Sequence, residues 1–231
     1  KGIQTTDDYT FQTNGGDIVM WPNNTGANRG RLYIDENNIF NSIGGQTDQA
    51  TGGGNIIFAG GTDDGNNRPS GYTRNDTKNQ GIYIRSGLEV YSGGGDITFK
   101  GSTNEYNISS IRGIEFVGDL NIYSGEGAVV FDGKIIRTNG ASGAGIEFAD
   151  GTSNSVSVIS DKANGDAITI NGNNTPHNIG IYFGATTSGL FEATSGGNIV
   201  VTTARGIQTR DGYTFQTNDA DLVFWADRDA N

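Results

Sequence analysis

The sequence lacks several features that most globular domains have. It contains no cysteine and only 3 prolines in 231 residues. Without cysteine there are no disulfides, thiolate metal sites or cysteine nucleophiles. No window of ten or more residues keeps helical apolar spacing without an interrupting glycine, and each glycine costs about 1 kcal/mol inside a helix. Apolar runs span only a few residues, so neither a signal peptide nor a spanning helix is predicted.

Positive charge is also scarce. The chain has 15 Lys and Arg against 26 Asp and Glu, a net charge of -11, and a pI near 4.4. Such a surface repels phosphate backbones and anionic lipid headgroups, so we predict no nucleic-acid partner and no membrane insertion by this segment. An acidic, cysteine-free chain suits an extracellular or cell-surface location.

Glycine is abundant, with 38 residues, and it separates short apolar stretches. Residues 81–101, GIYIRSGLEVYSGGGDITFKG, contain three alternating apolar triplets bounded by Gly, Ser or Asp. This pattern indicates three short strands joined by tight turns. One such unit cannot bury its apolar side, which predicts that copies of it stack.

Copies of this unit follow one another along the chain. A glycine followed by an apolar-x-apolar triplet marks the start of each: Gly2, Gly30, Gly81, Gly113, Gly145, Gly180 and Gly206. The spacings of 28, 51, 32, 32, 35 and 26 residues add up to 204. We therefore predict an all-β fold, a parallel β-helix (β-solenoid) with three strands per turn and about six turns per 204-residue module. At about 4.8 Å per turn, one module would be about 29 Å long.

The opening of the chain recurs near its end. Residues 2–21 and 206–225 are identical at 14 of 20 positions with an offset of 204. We predict one complete module at residues 1–205 and the start of the next tandem module at 206–231. Neighbouring modules of the same chain are then the first expected partners, since stacked repeats cover one another.

A Gly-Gly-(Asp/Asn)-Ile element recurs at residues 15–18, 53–56, 94–97 and 196–199. It resembles the repeats of filamentous-haemagglutinin-type and related giant bacterial surface adhesins. The resemblance implies a right-handed parallel β-helix, secretion to the bacterial cell surface and a role in cell adhesion. The chain has no Arg-Gly-Asp and no lectin signature, so no binding residue is carried over.

Alternation assigns residues to the interior and to the outer surface. The phenylalanines expected in the core are Phe11, Phe58, Phe99, Phe131, Phe148 and Phe183. The third strand of each turn presents an outer stripe formed by Val19, Ile57, Thr98, Val130, Thr169, Val200 and Val223. This outer stripe is interpreted as an interface for laterally associated copies, or as a surface that a neighbouring loop covers. Strand propensity alone also explains it.

The first strand presents an outer column formed by Gln4, Tyr33, Tyr83, Glu115, Glu147, Tyr182 and Gln208. Tyr83, Tyr182, Glu115 and Glu147 are candidates for carbohydrate contact, because exposed tyrosines beside carboxylates can bind sugars. Glu115 and Glu147 are predicted neighbours on adjacent turns, a like-charge pair that a cation or solvent would have to relieve. The alternative is that Glu115 and Glu147 are the two catalytic carboxylates of a glycosidase. We expect no Arg or His near the two carboxylates, which favours a solvated face.

Acidic and amide residues precede the third strand at Asp17, Asn55, Asp96, Asp166, Asn198 and Asp221. They are expected to accept backbone hydrogen bonds at the turn. Calcium is the alternative for Asp17, Asp96, Asp166 and Asp221, with further candidates at Asp63 and Asp64. No calcium-binding repeat or EF-hand loop is present, so no cofactor is predicted. Glycosylation sequons occur at Asn23, Asn75, Asn107 and Asn173, all expected in or beside turns.

These patterns predict an extracellular structural and adhesive repeat module, part of a long fibrous surface protein. It would act as a rigid stalk or filament and display loops for attachment to an unidentified cell-surface or polysaccharide ligand. One alternative is a filament that self-assembles through the outer stripe. The other is a β-helix polysaccharide lyase or glycoside hydrolase, which we disfavour because a repeated module is poorly suited to a single active site. We predict that the chain is not an enzyme.

Overall fold

The computed structural model describes residues 2–22, 30–65, 68–75, 80–103, 111–136, 143–148, 154–174, 179–210 and 212–226. Within these ranges the regular structure is β throughout. The strands are β1 (Ile3–Thr5), β2 (Thr10–Gln12), β3 (Ile18–Met20), β4 (Leu32–Ile34), β5 (Asn38–Asn41), β6 (Ile56–Phe58), β7 (Gly60–Asp63), β8 (Pro69–Gly71), β9 (Thr73–Asn75), β10 (Gln80–Ile84), β11 (Leu88–Tyr91), β12 (Ile97–Thr103), β13 (Ile111–Phe116), β14 (Leu120–Tyr123), β15 (Val129–Ile135), β16 (Gly143–Phe148), β17 (Ser155–Ser160), β18 (Asp166–Asn174), β19 (Ile179–Phe183), β20 (Ser188–Ala193), β21 (Asn198–Thr203), β22 (Gly206–Thr209), β23 (Tyr213–Thr217) and β24 (Leu222–Trp225).

The strands form three long parallel sheets, one for each predicted column. Sheet 1 has the order β1-β4-β10-β13-β16-β19-β22, and sheet 2 the order β2-β5-β11-β14-β17-β20-β23. Sheet 3 runs β3-β6-β12-β15-β18-β21-β24, and β9 also pairs with β12. Because each strand pairs with its equivalent one turn away, the chain coils as a parallel β-helix with three strands per turn. The predicted fold class is confirmed.

Phenylalanine rings stack along the interior. Phe99 lies between Phe58 and Phe131, with ring centroids 4.5 and 5.2 Å apart. A second stack meets the first edge to face and runs through Phe116, Phe148 and Phe183. The core prediction is confirmed for Phe58, Phe99, Phe131, Phe148 and Phe183, which are fully buried. Phe11 is only half-buried, in the first turn, where it stacks on Phe40 at 4.7 Å.

Four of the marker glycines, Gly81, Gly113, Gly145 and Gly180, lie where the backbones of sheets 1 and 3 approach each other. A Cβ atom on Gly113 would lie 2.4 Å from the Lys134 amide nitrogen. A Cβ on Gly133 would lie 2.2 Å from the Gly145 carbonyl oxygen. We call this line of close approach the glycine seam: Gly81, Gly101, Gly113, Gly133, Gly145, Gly172 and Gly180. No side chain fits between these backbones, which explains why glycine occupies these positions.

Buried hydroxyl groups line the corner between sheets 2 and 3. Ser42, Ser92, Ser124 and Ser160 are fully buried. The Ser42 hydroxyl donates to the Ser92 carbonyl at 3.0 Å, and the Ser92 hydroxyl donates to the Ser124 carbonyl at 3.2 Å. The hydroxyls of Ser42 and Ser92 therefore have partners in the interior, as buried polar groups require, and each links its turn to the next. The sequence analysis missed this column, although serine precedes a glycine turn in several repeats.

The long connection after β6 packs against the outside of the β-helix. Strands β7 and β8 form an antiparallel hairpin, followed by β9. Arg68 forms an ion pair with Asp17 at 2.6 Å. The Tyr72 hydroxyl donates to the Asp132 carboxylate at 2.7 Å. The hairpin thus ties the second turn to the outer face of sheet 3.

Candidate functional site

The predicted outer column of sheet 1 is continuous in the structure. Its residues pair rung by rung in the order Gln4, Tyr33, Tyr83, Glu115, Glu147, Tyr182 and Gln208. The rings of Tyr33 and Tyr83 stack with centroids 5.4 Å apart, and the Arg31 guanidinium lies 4.5 Å from the Tyr33 ring centroid. The column therefore places an aromatic pair directly beside the two glutamates.

An arginine side chain contacts the glutamate pair. Arg112 Nε donates to a Glu147 carboxylate oxygen, and the Gln80 amide donates to Glu115. The Arg112 and Glu147 side chains are only 14% and 6% exposed. The expectation that no arginine lies near these carboxylates was therefore wrong. Arg112 relieves the repulsion between the two glutamates.

The glycine seam explains why Arg112 was missed. Simple alternation from Glu115 would point Arg112 into the core, because the two residues are three positions apart. In β13, however, Gly113 and Ile114 are buried consecutively, and both Arg112 and Glu115 keep a small exposed fraction. The break in alternation at Gly113 brings Arg112 to the outer side of the sheet.

The outer column is not uniformly exposed. Glu147 and Tyr182 are only 5% and 8% exposed, so the prediction that they face solvent was wrong. Arg112 covers Glu147, and the Arg210 guanidinium lies 5.6 Å from the Tyr182 ring centroid. A cavity of about 220 Å³ lies here, lined by Arg112, Gly143, Ala144, Glu147, Ile179, Tyr182, Gln208 and Arg210.

The two carboxyl groups differ in environment. Burial, and after it the neighbouring Glu147, raise the pKa of Glu115 from 4.5 to about 7, although Arg112 and Gln80 act to lower it. Glu147 instead forms an ion pair with Arg112. Glu115 can therefore exchange a proton near neutral pH, while the Glu147 carboxylate is held by a cation. A substrate would reach little of Glu147, because its side chain is 6% exposed.

The outer stripe of sheet 3 also follows one register. Val19, Ile57, Thr98, Val130, Thr169, Val200 and Val223 are successive partners on neighbouring strands. All seven side chains are half-exposed. Their predicted outward placement is confirmed, and their role as an interface stays a prediction.

The acidic and amide residues before the third strand bond to one another across turns. Asp17 accepts the Asn55 amide at 2.7 Å, and Asn55 Oδ1 accepts the Asp96 amide at 2.9 Å. Burial raises the pKa of Asp17, but hydrogen bonds from Asn55 and Arg68 outweigh it and hold that pKa below its usual value. These bonds match the predicted turn role of the column.

The calcium candidates do not form a cluster in the part of the chain that the structure describes. No group of three His, Cys, Asp or Glu side chains there could hold a metal ion. Asp166 accepts the Asn198 amide group at 3.2 Å, and Asp96 accepts the Ala128 amide at 2.8 Å. The last strand follows Asp221, whose amide donates to Asn198 Oδ1 at 3.1 Å. Asp64 lies at the exposed end of the β7–β8 hairpin, and the side chain of Asp63 lies outside the described residues.

The sequons are placed less favourably than predicted. Asn23 and Asn107, and the side chain of Asn75, lie outside the described residues. Asn173 lies within β18, not in a turn, and its side-chain oxygen is buried. Asn173 is the second-last residue of β18, next to the connection that follows Asn174, and its glycosylation stays a prediction.

Comparisons of this chain with protein-family models, with curated proteins and with solved structures find no match. The resemblance to haemagglutinin-type adhesins therefore rests on the recurring Gly-Gly-(Asp/Asn)-Ile element and stays a prediction. Nor do the described residues contain a helix that is long and apolar enough to cross a membrane.

Proposed function

We propose that this chain is a structural and adhesive repeat of a long extracellular fibrous protein. In this role the stacked turns provide a rigid stalk or filament, and the outer faces provide sites of attachment. Neighbouring tandem modules are its first partners. The support comes from the packing of the first and last turns, which share most of their sequence.

The observation that carries the proposal is a difference in burial between equivalent residues. Ile18 and Met20 in the first turn are 9% and 8% exposed. Their equivalents in the last turn, Leu222 and Phe224, are 43% and 45% exposed. The residues that cover the first turn belong to the second turn, through the pairing of β3 with β6.

The tryptophans extend this comparison. Trp21 is half-buried, and its indole nitrogen donates to the Gly61 carbonyl at 2.9 Å. Its equivalent Trp225 is 54% exposed. A further copy of residues 30–63 placed after the last turn would cover Leu222 and Phe224 and would offer Trp225 a Gly61 carbonyl. The exposed side chains of the last turn therefore support the proposal that tandem modules stack.

The extracellular and adhesive parts of the proposal rest on other support. The net charge of -11 and the absence of cysteine suit a secreted chain, and the adhesin-like glycine element suits surface attachment. A non-catalytic role is favoured because Arg112 occupies the Glu147 carboxylate and that side chain is nearly buried.

A tandem chain tests the stacking. We would join residues 1–231 to residues 28–231 of a second copy, and replace Trp21 and the second Trp225 by Phe. The remaining Trp225 then lies at the junction. We expect its fluorescence to shift to shorter wavelength and to resist acrylamide quenching, because the added turn covers it.

The control is the single chain of residues 1–231 with Trp21→Phe, in which Trp225 should be quenched readily. Electron microscopy of longer concatemers should show rods that lengthen by about 29 Å per module, from six strand spacings of about 4.8 Å. Equal quenching of Trp225 in both chains, or separate beads in the micrographs, would contradict the proposal.

Lateral self-assembly is a second candidate function, favoured by the unbroken register of the outer stripe. We expect Val130→Lys together with Val200→Lys to abolish any side-by-side association seen by sedimentation or light scattering, since charge is costly in an apolar contact. Gln12→Lys together with Thr214→Lys is the matched control, because these exposed residues of sheet 2 receive the same charge away from the stripe. Unchanged association of the stripe variant would rule out this interface.

A further inference from the structure

A long groove runs along the outer face of sheet 2. Its volume is about 610 Å³, and residues from six consecutive turns line it, from Asp8 in the first to Ser188 in the sixth. At about 4.8 Å per turn, these five steps span about 24 Å. The groove therefore suits an extended ligand that lies along the helix axis.

Two columns of side chains line the groove in register. The first lies at the start of the strands and includes Asp119, Ser155 and Ser188, with Ser155 and Ser188 directly paired. The second is the outward position of the strands and includes Glu89, Asn121 and Ser157, which are paired from rung to rung. Each of the six turns thus offers at least one polar group to the groove, although Gly87 leaves a gap in the first column and Ile39 is an apolar member of the second.

Hydrogen bonds within the protein hold several of these groups in place. The Tyr91 hydroxyl donates to Glu89 at 2.7 Å and accepts from the Asn121 amide at 2.9 Å. One oxygen of Asp119 accepts the Ser155 amide and hydroxyl at 2.7 and 3.0 Å. Among the described residues, the second oxygen of each carboxylate accepts no hydrogen bond. These groups are preorganised, which lowers the entropy cost of binding a ligand.

We propose that this groove binds an extended, uncharged glycan chain, with about one sugar residue per turn. Amide, hydroxyl and carboxylate groups are the partners that sugar hydroxyls need for hydrogen bonding. The exposed Tyr9 ring, 47% accessible at one end of the groove, supplies an apolar face for a terminal sugar.

The spacing and charge of the groove select against other ligands. An extended peptide rises about 3.2–3.4 Å per residue, so its groups would fall out of step with rungs that are about 4.8 Å apart. One hexose of an extended glycan is close to the rung spacing in length. The lining contains Asp8, Glu89 and Asp119 and no Lys or Arg, which disfavours anionic polysaccharides.

This inference rests on the proposed attachment function and names its ligand class and its site. The test is calorimetric titration of the full chain with cellohexaose, mannohexaose, the hexamer of N-acetylglucosamine and hexagalacturonate. We expect at least one neutral hexasaccharide to bind, and its disaccharide to bind at least about tenfold more weakly because it spans fewer rungs. We expect hexagalacturonate not to bind.

Paired variants locate the site. Ser157→Phe fills the groove, and we expect it to weaken binding of the neutral hexasaccharide by about tenfold or more. Gln12→Phe is the matched control, because it adds the same ring at an exposed strand position of sheet 2 that does not line the groove, and it should bind normally. Thermal melts verify that both variants fold. Absence of binding by all three neutral hexasaccharides, equal binding of hexagalacturonate, or unchanged binding by Ser157→Phe would overturn the proposal.

The tandem-chain experiment keeps the two proposals separate. Protection of Trp225 at the junction without glycan binding would overturn the groove alone. Glycan binding without that protection would overturn the stacking of modules and leave the groove in place.

Discussion

Glu115→Gln is expected to stabilise the protein above neutral pH by about 3 kcal/mol, because the pKa of Glu115 is raised by more than two units and each unit is worth about 1.4 kcal/mol. The carboxyl group of Glu115 has its pKa raised from 4.5 to about 7, first by burial and then by Glu147. At high pH the folded protein must therefore carry a costly buried charge. Glutamine is neutral at every pH and still offers an oxygen to the Gln80 amide.

The sign of the pH dependence follows from this raised pKa. Between pH 4.5 and about 7, the folded protein holds the Glu115 proton while the unfolded chain releases it, so stability falls as the pH rises. This contribution is fully present below the unfolded pKa. Urea unfolding of both proteins at pH 4, 6 and 8.5 measures it. The Glu115→Gln variant should lose this part of the pH dependence, and curves that stay parallel at all three values would contradict the assignment.

Replacing Glu147, one turn away, by glutamine should lower the stability of the protein. Glu147→Gln removes the partner of Arg112, whose side chain is only 14% exposed. Breaking a buried ion pair by removing one partner costs about 3–5 kcal/mol, partly offset because Glu115 loses a repulsive neighbour. We therefore expect Glu147→Gln to destabilise the protein at pH 8.5. If both variants shift stability in the same direction, the two glutamates do not have the different roles described above.

The three columns of strands were predictable because alternation leaves little freedom of register. A shift of one residue in β12 would turn Ile97 and Phe99 outward and place Thr98 in the core. The apolar-x-apolar triplets therefore predicted which residues face inward and which strands are neighbours. The same reasoning placed the whole outer stripe and the Glu115–Glu147 pair correctly.

The environment of the glutamates was not predictable in this way. Arg112 reaches Glu147 only because Gly113 and Ile114 are both buried and interrupt the alternation of β13. The groove of sheet 2 depends on small residues such as Gly87 and Ser155 aligning across turns that lie more than thirty residues apart in sequence. The spacing between two residues in the sequence does not predict such an alignment. Predicting it requires the register of several turns at once.

Gly145→Ala is expected to destabilise the protein by about 3 kcal/mol or more, at the upper end of the cost of overpacking. A Cβ atom at Gly145 would lie 2.6 Å from the Asn173 amide nitrogen, 2.6 Å from the Gly133 carbonyl oxygen and 2.9 Å from the Gly180 carbonyl oxygen. These are backbone atoms of β18, β15 and β19. They cannot move aside as a flexible side chain would, so the added methyl group must separate sheets 1 and 3. Chemical denaturation of the variant measures the loss.

Gly16→Ala is the matched control, because it adds the same methyl group to an exposed glycine that lies off the glycine seam. The nearest atom to its Cβ would be the Thr13 Cβ at 3.7 Å, an ordinary van der Waals distance. Its φ does not lie in the left-handed region, so alanine should be neutral there or stabilising by about 0.4–1 kcal/mol through the unfolded chain. Equal stability of Gly145→Ala and Gly16→Ala would show that the backbones of sheets 1 and 3 are not in close contact. In that case the marker glycines would serve only as turn residues. Close packing of sheets 1 and 3 would then not explain why glycine recurs at these positions.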